Sequence, residues 1–414
     1  MSERTEGRSA GRMPSPPDET GTIREAVADF TSRLRGGDLG SLPVVVGLVV
    51  IAVLFQALNP RFLAPSNLVN LTLQAAPLGV IAIGTVVVLL AAQIDLSVGS
   101  VSGLASAIVG VCAMRLQWPM LVGIVAAIAA GALIGAFYGF LLSRFGVPSF
   151  LITLAGLLGF LGLQLALLGP AGSINIPFSN PLVQFANTWF LPPWVAYLIV
   201  GIAAIGMLAE GLAKRRRRAR ADLPLSHISI TIVKAAALLV LLSLAVWYLS
   251  LDRGTAVMPV LFVLLVVVMS YLLRRTRWGR SIYAVGGNVE AARRAGIRVT
   301  RTLVTAFVIC SAFAALGGVL SAARLGSATT LTGTADTNLN AIAAAIIGGT
   351  SLFGGRGNAW SAVLGVLVIS AISSGLTLLN LDASVRYMIT GAVLLLAVIA
   401  DSLSRRSRAS HGRA

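Results

Sequence analysis

Two cysteines, two histidines and two lysines are all that this chain of 414 residues holds of those types, and each scarcity closes off a class of chemistry. Cys112 and Cys310 lie in apolar stretches, where a thiol behaves as a small hydrophobe, so neither a disulfide framework nor a cysteine metal site is indicated. His227 falls by a loop and His411 in the C-terminal tail, leaving no histidine in the apolar segments for a metal centre or a Ser/His/Asp triad. Neither Lys214 nor Lys234 follows a glycine, which excludes a G-x-x-x-x-G-K-S/T phosphate loop. The chain is therefore not expected to hydrolyse ATP. Charge is scarce too: 11% of residues are charged against 57% hydrophobic, with a mean hydropathy of +0.89. A soluble core cannot hide that much apolar surface, so bilayer must cover it.

What is present is a series of apolar runs, each near the roughly 20 residues that a spanning helix needs. They must be helical, because isolated strands leave backbone groups unpaired in lipid. Candidate spans are 41–58, 71–92, 97–115, 121–142, 150–168, 194–212, 228–249, 256–273, 303–322, 336–350, 357–379 and 384–402. The expected fold is an all-α polytopic transmembrane bundle of about 10–12 spans, with broken or re-entrant helices and a weak internal repeat. Residues 1–40 read as a disordered cytoplasmic tail without a signal peptide's apolar core, 41–403 as the membrane domain and 404–414 as a C-terminal tail.

The net charge of +17 does not form a patch that would point to nucleic acid; it falls in short loops between spans. One side receives Lys214, Arg215 to Arg218 and Arg220 in a basic loop over 213–226, then Arg274, Arg275, Arg277, Arg280, Arg293, Arg294, Arg298 and Arg301 in a loop over 274–302, and finally Arg405, Arg406, Arg408 and Arg413. The opposite side holds Arg61, Arg253, Arg324 and Arg386, and the long segment from Gly169 to Pro193 has no charge. This asymmetry predicts both termini in the cytoplasm. The run from Lys214 to Arg220 fixes topology, with anionic lipid as its other possible partner.

Two polar interruptions stand out, Ala91 to Ser100 and Gly348 to Asn358. Each reads as following a short apolar helix and preceding a longer one. Such breaks at membrane depth are tolerated where protein or a watery cavity satisfies the freed backbone, as in transporters built from repeated halves. Asp95 is the one acid between strongly apolar segments, a functional candidate by default; Asp95 or Ser97 could equally cap the helix that follows. Gln93, Ser97, Thr350 and Ser351 could supply polar partners in the same cavity, or bond between helices. Gly131, Gly135 and Gly139, four residues apart, present a smooth face for close helix packing.

The loop from Arg274 to Arg301 has more structure than orientation requires. Gly286 and Gly287 permit unusual turns, Asn288 can cap, and Val289 to Ala295 reads as a short helix ended by Gly296. A short exposed helix of small residues suits docking into another protein's groove.

Three blocks, Ile94 to Ser100, Ala284 to Ile297 and Ala343 to Gly357, together resemble the membrane permeases of bacterial ATP-binding-cassette importers for monosaccharides of the ribose, xylose and galactose type. The resemblance covers roughly residues 41 to 403 and is nearest to xylose-type permeases, which share the additional segment around 194–249. It implies a bacterial inner-membrane protein that moves a monosaccharide, with a pentose as first choice, by alternating access. It further implies a separate ATP-binding subunit carrying ATP and magnesium, an extracytoplasmic sugar-binding protein, a second copy of this chain, and no cofactor on the chain itself. Gly286, Gly287, Asn288, Glu290, Ala291, Ala292 and Gly296 would meet the ATP-binding subunit. Gln93, Asp95, Ser97, Thr350 and Ser351 would lie beside the translocation path. An ion-coupled secondary transporter is the alternative; it needs buried acids, of which Asp95 is the only good candidate.

Overall fold

The computed structural model describes residues 42–221 and 227–382, together with Ser384, Val385, Met388, Ile389, Gly391, Ala392 and Leu395. Both predicted tails, most of the last predicted span and residues 222–226 of the basic loop lie outside the described residues. Nine described helices are long and apolar enough to cross a membrane, and the protein is a multi-pass helical membrane protein.

The order runs α1 (Leu42–Leu58), α2 (Pro65–Leu90), α3 (Val98–Gly110) with a π-helical turn at Val111–Arg115, α4 (Met120–Phe145) and α5 (Ser149–Leu168). Strand β1 (Ser173–Asn175), α6 (Pro181–Asn187), α7 (Pro193–Ala219), α8 (Ile228–Leu249) and α9 (Val257–Arg275) follow. The chain continues through α10 (Arg277–Gly287), α11 (Val289–Arg294), α12 (Val299–Leu325), β2 (Ser327–Thr329), α13 (Ala335–Ile347) and α14 (Trp360–Leu378). Residues 198–221 and 227–243, most of α7 and α8, form a compact unit of their own. Within it the helices pack where Gly211 faces the Thr231 side chain.

In the larger unit α2, α3 and α12 are central. α2 is buried from Ala75 to Leu90 apart from Leu78, whereas α4 and α5 expose Leu121, Leu133 and Leu158 as lipid-facing residues do. The glycine stripe of α4 packs on α12 as its spacing implies. A Cβ on Gly139 would stand 2.6 Å from Val304 Cα, one on Gly131 would stand 2.6 Å from the Ser311 carbonyl oxygen, and one on Gly135 would strike the Phe307 carbonyl. Close backbone approach replaces the hydrophobic drive that lipid cannot supply. Arg115 donates to the carbonyls of Leu167 and Leu168 at 2.6 Å each, closing the C-terminal end of α5, where a cation suits the helix dipole.

Two expectations need correction. The first interruption follows the long helix α2, of 26 residues, and precedes the shorter α3, of 13; hydropathy placed the start of α2 late because Ser66, Asn67 and Asn70 dilute its first turns. The predicted span 336–350 is α13, a 13-residue half-helix. Ahead of it, Gly326 to Thr334 runs along α3: Ala328 lies against Gly110, Thr332 against Gly103 and Thr334 against Gly99. Strands β1 and β2 pair antiparallel at its start, the one described two-stranded ribbon in a helical protein.

Candidate functional site

The Asp95 turn is built by its neighbours. α2 ends at Leu90, and Ala92 takes a left-handed conformation at φ 57°, which turns the chain back into the protein. Asp95 Oδ1 accepts from the Ser97 backbone amide at 2.8 Å and from the Ser97 hydroxyl at 2.7 Å. The Ser97 oxygen in turn accepts from the Tyr138 hydroxyl of α4 at 2.8 Å. Backbone donors of the turn are met from α5, Ile94 N–H by Ser149 Oγ at 3.3 Å and Leu96 N–H by Thr153 Oγ1 at 3.0 Å. Asn338 of α13 donates to the Leu96 carbonyl at 2.5 Å.

Asp95 is buried, and apart from the neighbouring Cys310 thiol its Oδ2 meets no polar partner among the described residues. The carboxylate thus acts on the residue that opens α3, two positions along, and holds that residue's amide and hydroxyl together. Ser97 is buried and Gln93 half-buried.

The second interruption folds back on the first. After α13, Thr350 N–H bonds the Ala345 carbonyl and Ser351 N–H the Arg356 carbonyl at 2.9 Å, making a tight loop whose Gly354, Gly355 and Gly357 all take positive φ. Gly355 N–H donates to the Leu90 carbonyl at 2.9 Å, so the loop caps the end of α2. Thr350 is buried with an unpartnered Oγ1, while Ser351 is half-buried. The side chains of Asp95 and Thr350 are not hydrogen-bonded to each other; the two interruptions are joined by the bond from Gly355 N–H to the Leu90 carbonyl.

The third block closes the junction. Thr276 Oγ1 accepts from Gly279 N–H and starts α10, which carries Gly286 against the Leu90 carbonyl and Gly287 against Gly355. Tyr283 of α10 donates to the Gly357 carbonyl at 2.9 Å. Burial pushes its phenol up, more than the nearby Arg274 lowers it, so the donor proton stays in place. Beyond, Asn288 Oδ1 accepts from Ala291 N–H at 2.9 Å and caps α11 as expected, and Gly296 follows the helix at φ 78°. Gly287, Asn288, Glu290, Ala291 and Gly296 are exposed, whereas Gly286 and Ala292 are buried. The seven residues therefore divide into an outward face and its seat.

One residue escaped the sequence reading. Gln164, fully buried on α5, donates to the carbonyls of Thr329 and Thr332 at 2.9 Å each and so holds the turn that follows β2 against α5. A lone amide in an otherwise apolar helix was the signal.

Residues 67–398 match the family described as branched-chain amino acid transport system / permease component. The chain belongs to that permease family. It is 35% identical to the xylose transport system permease protein of Escherichia coli, over 91% of this chain and 95% of that protein. It is 30% identical to the ribose import permease protein of Escherichia coli over 86% and 92%, and 29% identical to the fructose import permease protein of Rhizobium meliloti over 89% and 88%. No solved structure matches the chain. Two of the three blocks that carried the sequence resemblance thus meet, in this permease, at Leu90, four residues ahead of the block that opens at Ile94.

Proposed function

We propose that this chain is the membrane subunit of an ATP-driven importer that carries a monosaccharide into the cytoplasm, with xylose the first candidate cargo. Similarity to sugar permeases along nearly the whole chain carries the reading. ATP and magnesium are assigned to a separate ATP-binding subunit, and no cofactor to this chain. A soluble extracytoplasmic protein delivers the sugar to a pair of copies of this chain, both with cytoplasmic termini.

In this reading the exposed face of α11, with Gly287, Asn288, Glu290, Ala291 and Gly296, meets the ATP-binding subunit. Gly286 and Ala292 seat it. Gln93, Asp95, Ser97, Thr350 and Ser351 flank the path. Alternating access needs inward- and outward-facing packings of nearly equal stability, and a partner shifts them only through differential contact. The Gly286–Leu90–Gly355 junction supplies a route: a displacement of α10 and α11 bears directly on the end of α2, five residues ahead of Asp95.

The test is purification of the protein from its native membrane, identification of co-purifying chains, and uptake of labelled xylose with ATP present and the proton gradient collapsed. Association with an ATP-binding subunit that depends on residues 286–296, together with ATP-dependent uptake, is expected. A chain that purifies alone and needs the ion gradient instead would replace this reading with the ion-coupled transporter.

A further inference from the structure

Beside α11 the structure holds an open groove of about 630 Å³, lined by Arg293, Arg298 and Arg301 together with Ile297, Val299 and Val304. Its lining contains three guanidinium groups and no carboxylate. Arg293 is engaged by Glu290 at 2.7 Å, but Arg298 and Arg301 are exposed. Topology determinants need only be solvated; these side chains instead border a concavity whose other walls are half-buried aliphatic groups.

Position decides the kind of ligand. Arg298 is the N-cap of α12, a helix of 27 residues that is long and apolar enough to cross the bilayer; a helix of that length, about 40 Å, outreaches the roughly 30 Å of hydrocarbon, which puts its N-terminal end and the groove among the head groups. The N-terminal end of that helix adds its positive dipole to the arginine charges. Val304, one turn further in, rests against Gly139 of α4 and gives the groove an apolar inner wall. Beside it Thr305 is fixed by the Trp278 indole, which donates to Thr305 Oγ1 at 2.8 Å, so this wall is braced from α10. Positive charge outside, aliphatic surface inside and a place at the interface together match an amphiphile with an anionic head.

We propose that this groove binds the phosphodiester head group of an anionic phospholipid, with Arg298 and Arg301 on the phosphate and Val304 against the glycerol and first acyl carbons. Guanidinium groups bond phosphate oxygens in pairs, and a lipid keeps its chains in the bilayer while its head enters the groove. The inference requires only that α12 spans the membrane and is independent of the solute carried.

The test uses the full-length protein in detergent micelles and native mass spectrometry with added phosphatidylglycerol or phosphatidylcholine of the same acyl chains. Wild type should retain phosphatidylglycerol preferentially. Arg298→Gln with Arg301→Gln should weaken that binding about thirtyfold, from roughly one kilocalorie per basic residue near anionic lipid. Arg298→Lys with Arg301→Lys, which keeps the charge but loses the paired geometry, should fall between wild type and the glutamine variant. Thr300→Glu, which leaves both arginines in place but adds a carboxylate to the groove, should remove it and serves if the double glutamine variant fails to fold. Millimolar inorganic phosphate should not displace the lipid. An unchanged preference in the glutamine and Thr300→Glu variants would overturn the proposal. So would displacement by phosphate, which would make this a free-anion site, or exclusion of lipid from the groove by the ATP-binding subunit in the purified complex.

Discussion

Gly286 lies so close to the carbonyl oxygen of Leu90 that a Cβ on it could not be accommodated without moving backbone. The two residues are almost two hundred positions apart, and the contact joins the segment proposed to meet the ATP-binding subunit to the helix that leads into the Asp95 turn. At Gly287, its neighbour, a methyl group would meet nothing within 4 Å.

That contrast gives the first prediction. Gly286→Ala should cost about 1–3 kcal/mol, the usual penalty for forcing an atom into a filled space, and should lower ATP-coupled uptake in proportion to the folded protein that remains or below it. Gly287→Ala, exposed and outside the left-handed region, should stay within about 0.5 kcal/mol. Thermal unfolding in detergent, followed by uptake in reconstituted vesicles, reads both. Equal tolerance at the two positions would remove the junction from the mechanism.

Asp95 separates geometry from charge. Asp95→Ala leaves the Ser97 amide without its acceptor inside the protein and should cost about 1–3 kcal/mol. Asp95→Asn keeps Oδ1 and the hydrogen bonds from Ser97, so it should lose much less. Unfolding midpoints of the two variants decide. If Asn is as damaging as Ala, the charge itself matters and the residue is more than a brace for the turn.

Hydropathy made the spans legible because lipid imposes one requirement, a run of apolar residues long enough to cross, and that requirement acts locally. The Gly131, Gly135 and Gly139 stripe and the Asn288 cap were legible for the same reason: each is written within one or two helical turns. The strand and turn from Gly326 to Thr334 were not. Their mixture of Gly, Ser, Thr and Leu resembles an ordinary loop, and only their partners on α3 and the Gln164 amide reveal that Ala328, Thr332 and Gly333 are buried while Leu331 stays exposed. The junction of Leu90, Gly286 and Gly355 was equally hidden, since three segments far apart in sequence leave no shared periodicity. The blocks were recognisable one by one; their meeting point was visible only in three dimensions.

Gln164 tests how much the turn after β2 depends on its anchor. Gln164→Leu keeps the volume but removes the donor to two carbonyls; that of Thr329 still accepts from the Thr332 N–H at 3.1 Å, so the cost should be about 1–3 kcal/mol for the Thr332 carbonyl left unpaired. Gln164→Glu, ionised, would place a carboxylate against the same two oxygens and should be at least as damaging. Protease sensitivity near residues 326–334 should rise in both variants, with uptake reduced. Wild-type protection in Gln164→Leu would mean that the ribbon of β1 and β2 holds the segment alone.

The outward face of α11 offers the most direct test of coupling. Glu290 and Arg293 form an ion pair whose side chains are 64% and 62% exposed, so the pair is worth less than about 1 kcal/mol to the fold. Gly296 takes φ 78°, whereas proline is fixed near about −65°, so Gly296→Pro reshapes the turn after α11 without touching a spanning helix. Glu290→Lys combined with Gly296→Pro should therefore leave insertion and thermal stability close to wild type while abolishing association with the ATP-binding subunit and reducing uptake to background. Both readouts are needed, because lost uptake with intact association would place the defect in the path and not at the contact. Normal uptake in a correctly inserted double variant would take the coupling role away from α11, since neither its charge nor its exit turn would then matter to the partner.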